Sequence, residues 1–294
     1  MRVTTRSMID GLIANLQASQ EAQDRLQNQI TSGKRVNRPS DDPTAAWRGV
    51  RLRQDSAANT QYLRNMDDAR AWLDTTDSAL DGVQSTLAKI RELAVQTAND
   101  TYNATDRAEV SHQVNEMREH LMALLNSTNH AGQYVFSGMR TSTPAFTKDI
   151  AGNVLYQGDS SSIFREIGPG TTLAVNSFGD SFVTMFSDVN DLAHELVDPH
   201  GSSAKIALAI DKIDQSVEQV LNTRSDVGAK LVRIDFASDR LNNQQIEIGR
   251  IQSTNEDVDL ADVLSKLTTQ QSVYRITLEA AGRVMPYSLM DFLK

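Results

Sequence analysis

The sequence predicts a mainly α fold with a β-rich insert: a long antiparallel helical rod, a small β domain in mid-chain, and a helix at each end. Three observations carry this. Aliphatic side chains recur every seventh residue through Ile206, Ile213, Val220, Val227, Ile234, Leu241 and Ile248, which marks a long helix with one narrow stripe to bury. Shorter stripes of the same kind lie towards both ends of the chain. From about Gly132 to Val183 the helical spacing gives way to short β-prone runs separated by turn residues.

The elements follow in order. Ile9, Leu12, Leu16, Ser19, Gln23, Leu26 and Ile30 keep a 3-4 spacing, a first helix whose seam is weakened by Ser19 and Gln23. Gly33 suits a left-handed stop. Residues 34–42 form a polar loop, with Asp42 as N-cap and Pro43 in the first helical position of the next helix. That helix reaches about Gln96, with its seam at Met66, Ala69, Leu73, Thr76, Leu80, Val83, Leu87, Ile90 and Ala94, and a break or change of partner is expected near 55–62. Asp106 with Glu109 is read as the cap of a helix to about Asn129, with Val110, Val114, Met117, Leu121 and Leu124 inward. Tyr134–Phe136, Ala145–Phe146, Val154–Tyr156, Ile163–Phe164 and Thr172–Val175 are the candidate strands, and Val189–Val197 is a short helix.

The long helix from Ser203 fades near Gln252. Its interleaved positions are Ile210, Val217, Arg224, Leu231, Ser238, Gln245 and Gln252, so its second half is apolar at one site of each pair and polar at the other. Leu260, Leu264, Leu267, Gln271, Tyr274, Leu278, Ala281 and Met285 make a last amphipathic helix before an apolar tail. The expected segments are 1–42 (N-terminal, disordered in the monomer), 43–131 (first part of the rod), 132–200 (β-rich insert), 201–252 (returning rod helix) and 253–294 (C-terminal). Rod core positions are Leu73, Leu80, Leu87, Val114, Leu121, Ile206, Ile213, Val220, Val227, Ile234, Leu241 and Ile248. The terminal stripes are too thin for two helices to bury and are expected to find partners in neighbouring subunits.

Composition narrows the function. Aromatics are 5% of 294 residues and hydrophobic residues 39%, which suits thin helical seams better than a thick enzyme core. A net charge of −9 argues against nucleic-acid binding. Residues 1–53 nonetheless hold nine basic side chains against five acidic ones. The absence of cysteine removes disulfides, thiolate nucleophiles and cysteine-based zinc sites. Nothing in the sequence reads as a secretory signal or a membrane span. His112, Glu116 and His120 share a helical face, but the two histidines are about 12 Å apart along the axis, too far to ligate one ion. No catalytic triad, phosphate-cradling loop or cofactor motif is visible. Trp47 and Trp72 are read as packing residues, and Met66, Met117, Met122 and Met285 as core filler.

Leu26…Ile30-Thr31-Ser32-Gly33-Lys34-Arg35-Val36-Asn37…Ser40-Asp41-Asp42-Pro43 resembles the N-terminal signature of bacterial flagellins. Val227-Gly228-Ala229…Arg233, Asp257–Ala261 and Leu267…Gln270-Gln271 resemble the C-terminal region of the same superfamily. Gly132–Gly138, Pro144-Ala145-Phe146, Tyr156–Asp159 and the ending Ser288–Leu293 are similar to its hook-associated protein 3 subgroup, the hook–filament junction proteins. The resemblance implies terminal helices forming an inner layer, a rod of long helices and a small outer β domain. It implies a ring homo-oligomer between hook-associated protein 1 on the hook side and flagellin on the filament side. Export as an unfolded chain by the flagellar type III system, with a cytosolic export chaperone, is implied too, as are an extracellular location and no enzymatic role.

The subunit-interface residues expected on this reading are Ile9, Leu12, Leu16, Leu26, Ile30, Leu260, Leu264, Leu267, Tyr274, Leu278, Leu289, Phe292 and Leu293, with Asn37, Pro39, Asp41, Asp42 and Pro43 in the loop. A short filament flagellin and a cytosolic coiled-coil adaptor are the alternatives.

Overall fold

The computed structural model describes residues 2–98, 102–150, 152–198 and 203–284. Six α-helices and four short strands follow one another as α1 (Arg2–Ser32), α2 (Pro43–Thr97), α3 (Ala104–Leu125), β1 (Phe146–Lys148), β2 (Val154–Tyr156), β3 (Phe164–Gly168), β4 (Thr171–Ala174), α4 (Val183–Val197), α5 (Ser203–Glu256) and α6 (Leu260–Val284). The chain forms two compact units, a central one (Asn59–Asn242) and a terminal one (Met1–Ala58 with Asn243–Lys294).

In the central unit α2 and α5 run antiparallel. Arg70 pairs with Asp235, Arg224 with Asp77 (3.0 Å) and Arg91 with Asp214 (2.5 Å), so residue numbers fall on one helix as they rise on the other. Leu73, Leu80 and Leu87 of α2, Val114 and Leu121 of α3, and Ile206, Ile213, Val220, Val227, Ile234 and Leu241 of α5 are buried in one hydrophobic cluster. Each such aliphatic side chain contributes roughly 1.5–3 kcal/mol of transfer free energy. The polar break at Arg224 in the α5 seam has partners. Arg224 reaches Asp77, Asp81 (2.8 Å) and Gln84 (2.6 Å) on α2.

α4 packs antiparallel to α3, where the Ser111 hydroxyl donates to the Ala193 carbonyl and Arg118 to Asn190. Met185, Phe186, Val189, Leu192 and Leu196 make its buried face. The sequence spacing located only the second half of this helix, because Val183–Asp188 continues directly from a tight turn at Asp180–Phe182.

The insert contains two antiparallel pairs, β1 with β2 and β3 with β4. Tyr134–Phe136 is not a strand, contrary to the expectation from its β-branched and aromatic content. Val135 and Phe136 are fully buried, but their backbone groups bond to scattered partners. Tyr134 N–H donates to Thr141, Val135 N–H to Ser127, and Gly179 N–H to the Phe136 carbonyl. A buried segment needs satisfied backbone groups, not a ladder. The rings of Phe136 and Phe182 meet edge-to-face at 5.9 Å, and Phe146 stacks near Tyr156 and Phe186.

Further boundaries differ from the sequence reading. α2 has no break from Pro43 to Thr97, while the boundary between the two units falls at Ala58–Asn59, within the stretch 55–62 where a break or change of partner is expected. α3 starts earlier than Asp106, since Asn103 is the N-cap and Asp106 closes a capping box with it. It ends at Leu125, where the Asn126 side chain bonds both backbone groups of Phe146. α5 extends to Glu256, through the polar stretch read as its end. Trp72 is buried with Met66, and Met117 and Met122 pack on the core, whereas Trp47 is 65% exposed with the Arg51 guanidinium 5.8 Å from its ring centre.

Candidate functional site

The terminal unit holds most of the residues the sequence marks for subunit contact. α1 stops at Gly33, whose φ of +68° is the left-handed conformation glycine adopts without penalty. The chain then joins the turn between α5 and α6. Lys34 and Asp257 form an antiparallel bridge, Arg35 N–H donates to the Glu256 carbonyl at 2.6 Å, and Val258 N–H donates to the Gly33 carbonyl at 3.1 Å. The end of α1 therefore meets the start of α6. Further along, the Gln23 side chain reaches the Gln270 carbonyl at 3.3 Å, and the Gln270 side-chain amide donates to the Ser19 hydroxyl at 3.0 Å. The two helices are antiparallel, with a polar layer inside their seam.

On α1 the inward residues are those the spacing predicts. Ile9, Leu12, Leu16, Leu26 and Ile30 are half-buried and Ser19 is buried. On α6 the phase differs. Val263 and Ala281 are buried, and Leu267, Gln270, Tyr274 and Thr277 are half-buried. Leu260, Leu264 and Leu278 are 49%, 49% and 46% exposed, Val273 is 46% exposed and Ile276 66%. So the helix carries two apolar stripes, one shared with α1 and one open. The sequence reading merged them, because leucines at 260, 264, 267 and 278 outweigh a seam whose own members include Gln270 and Thr277. Met285, Leu289, Phe292 and Leu293 lie outside the described residues.

The loop 33–42 is shaped by its own carboxylates. Asp41 accepts from the N–H groups of Asn37 (3.2 Å) and Arg38 (2.9 Å). Asp42 accepts from Ala45 N–H at 3.0 Å and sits 3.3 Å from Arg35. The Ala45 hydrogen bond leads in holding the Asp42 carboxyl below the usual range. Asn37, Pro39, Asp41 and Pro43 are exposed. An open cleft of about 1110 Å³ lies along this loop and α1, lined by Asp24, Asn28, Arg35, Arg38 and Asp41 among others.

Sequence reasoning missed the group that ties these pieces together. The Glu256 side chain is only 6% exposed and pairs with Lys34 (2.8 Å) and Arg53 (2.5 Å). Burial disfavours its charge, but Lys34 and then Arg53 outweigh burial and hold its carboxyl below the ordinary range. Asn255 donates to the Ala45 carbonyl and its own carbonyl accepts from Arg35. Gly49 is buried against the clasp, where an added Cβ falls well inside contact distance of the Glu256 carboxylate. A signal existed. The seven-residue phase that ends in aliphatics at Ile248 continues to Asn255, and a polar residue in a seam position marks a specific partner.

Among the described residues no group of three or more metal-ligating side chains is present. His112, Glu116 and His120 are exposed on α3, and no described helix is long and apolar enough to cross a membrane. The arrangement is one of association: an incomplete helical pair, an open apolar stripe and the Glu256 clasp on Lys34 and Arg53.

Known proteins place this architecture. Residues 3–141 match the bacterial flagellin N-terminal helical region and residues 210–293 the bacterial flagellin C-terminal helical region. The chain is 28% identical to flagellar hook-associated protein 3 of Salmonella typhimurium over 99% of both chains. It is 24% identical to flagellin of Bacillus subtilis over 99% of this chain and 98% of that one. The fold is similar to that of flagellar hook-associated protein 3 from Legionella pneumophila, with a TM-score of 0.64 at 16% identity, covering 69% of this chain and 97% of that one. With both terminal helical regions matched and the helical fold shared, the chain belongs to the bacterial flagellin family.

Proposed function

We propose that the chain is a structural component of the bacterial flagellum that joins hook to filament. The observation that carries this is the full-length similarity to a flagellar hook-associated protein 3, which spans the β-rich insert as well as the terminal helices. The subunits form a ring by self-association, with hook-associated protein 1 on one side and flagellin on the other. The chain leaves the cell through the flagellar type III system, escorted in the cytosol by an export chaperone, and functions outside it. It catalyses no reaction.

Assembly works by completing the terminal unit. In the free subunit α1 and α6, within the segments 1–42 and 253–294, are loosely ordered, and neighbouring copies cover the open stripe at Leu260, Leu264 and Leu278. The half-buried residues Ile9, Leu12, Leu16, Leu26, Ile30, Leu267 and Tyr274 are supported as interface members by their incomplete burial. The exposed loop residues Asn37, Pro39, Asp41 and Pro43, with Asp42, offer a second contact.

Disrupting the gene is the direct test. The expected result is hooks that lack filaments, with flagellin released into the medium. Short filaments in the disrupted strain would instead favour a filament flagellin, the reading to which the Bacillus subtilis relative points. Presence in the cytosol alone, never in sheared flagella, would point to a coiled-coil adaptor.

A further inference from the structure

The two units divide the charge of the chain unequally. The terminal unit holds fourteen basic and thirteen acidic side chains, and the central unit fifteen basic and twenty-five acidic. The net charge of −9 therefore resides almost wholly in the central unit. The same division is written along α2. Its first turns carry Arg48, Arg51 and Arg53 against Asp55, and its middle carries Asp67, Asp68, Asp74, Asp77 and Asp81 against Arg64 and Arg70.

Several of these charges are satisfied within the chain. Arg53 is held by Glu256, Asp68 pairs with Arg165, and Asp77 and Asp81 share Arg224. Arg48, Arg51, Asp67 and Asp74 are exposed and have no ion-pair partner among the described residues, and the same holds for Asp55 and Arg64 between the two clusters. Beside the two arginines stands Trp47, 65% exposed, its ring faced by Arg51. An exposed tryptophan next to unpaired arginines has the composition of an interface centre.

We infer that Trp47, Arg48 and Arg51 of one copy dock on the Asp67–Asp74 edge of α2 in a second copy. This rests on the self-associating reading above and adds to it a contact outside α1 and α6. Charge complementarity selects the occupant: the same chain presents both the unpaired cations and the unpaired carboxylates, on one helix. Two copies satisfy each other's charges only when the arginine patch of one meets the carboxylate edge of the other. Such a contact is heterologous, one patch meeting a different patch, and leaves a free patch at each end of the pair, so it propagates. Like-charge repulsion opposes an unstaggered pair, in which Asp67 and Asp74 would meet their own copies.

Charge exchange tests it on the full chain carrying Trp72→Phe, which leaves Trp47 the sole indole. Self-association is followed by sedimentation and by Trp47 emission, which shifts to the blue as the ring leaves water. Arg48→Glu with Arg51→Glu, and separately Asp67→Lys with Asp74→Lys, should each weaken self-association at least about tenfold. Added salt should weaken the parent chain but not these variants. Mixing the two variants should restore association, since the reversed patches complement each other, and a chain with all four changes should associate like the parent. Restoration excludes misfolding as the cause of the single losses.

Parent association with no effect of reversal would overturn the docking contact and leave the self-association reading standing. A chain that never self-associates would remove both. Reversals that weaken only co-assembly with flagellin, leaving self-association intact, would show that another protein occupies the surface.

Discussion

The central and terminal units use the same helical spacing to different depth. In the central unit each seam is covered on several sides. Leu80 of α2, Val114 of α3, Val189 of α4 and Ile213 of α5 are all fully buried in one cluster. In the terminal unit α1 has only α6 along most of its seam, and its aliphatic residues stay half-exposed. What replaces hydrophobic depth there is polar specificity: the Gln23–Gln270–Ser19 layer and the Glu256 clasp. The difference teaches where each property resides. A deep core gives a subunit that is folded before assembly, and a shallow, polar-keyed seam gives an association that waits for neighbours.

The largest effect expected from this contrast is in the core. Leu80→Ala or Ile213→Ala should destabilise the monomer by about 2–5 kcal/mol, read from a denaturant melt. Leu264→Ala should change monomer stability by less than about 0.5 kcal/mol while impairing polymerisation. Equal destabilisation by the two kinds of variant would erase the comparison.

Next comes the clasp. Gly49→Ala forces the Glu256 carboxylate away from Arg53 and should cost the terminal unit about 1–3 kcal/mol. Protease cleavage between α1 and α2 should then accelerate, with the central unit unaffected, and an unchanged cleavage rate would show that the clasp holds nothing in place.

Acid should act at the same point. The folded carboxyl of Glu256 is lowered, so its stabilising contribution is present above the ordinary glutamate range near ~4.3 and is lost as pH falls through the lower folded value. Hydrogen exchange of α1 should rise in that window. In Glu256→Gln the rise should be absent, and its persistence there would assign it to other carboxylates. Ser19→Ala, which strands the Gln270 amide, should cost the α1–α6 pair about 1 kcal/mol. The smallest effect is on α3, where His112→Ala should stay within about 0.5 kcal/mol in a thermal melt.

Much of this was legible in the sequence where one force dominates. Hydrophobic periodicity alone located the rod: the aliphatic stripe from Ile206 to Ile248 is buried at every seventh residue. It failed where a helix has two stripes. On α6 the seam read from the sequence mixes the open leucines 260, 264 and 278 with Leu267, Tyr274 and Ala281, which belong with Val263 and Gln270 to the side shared with α1. Periodicity reports that a face is apolar, not which neighbour covers it. Trp47 was misread as packing for a related reason, since residue type sets a tendency to burial and the neighbouring chain decides it. The Tyr134–Phe136 segment has strand composition and turn geometry because its backbone partners, Thr141, Ser127 and Gly179, lie in three different places and not on one neighbouring strand. The heptad phase reaching Asn255 points to the clasp, but Glu256 itself was missed because its partners Lys34 and Arg53 lie more than two hundred residues away in sequence.

The polar layer between Ser19, Gln23 and Gln270 has one further consequence. A helix pair lined only by aliphatic residues can slip by seven residues at little cost, because one leucine substitutes for another. Here a slipped α6 would set the Gln270 amide among aliphatic side chains with no partner, at a cost of about 1–3 kcal/mol. The layer therefore acts as a key cut at one height. A chain with similar terminal helices whose notch lies at another level would fit poorly.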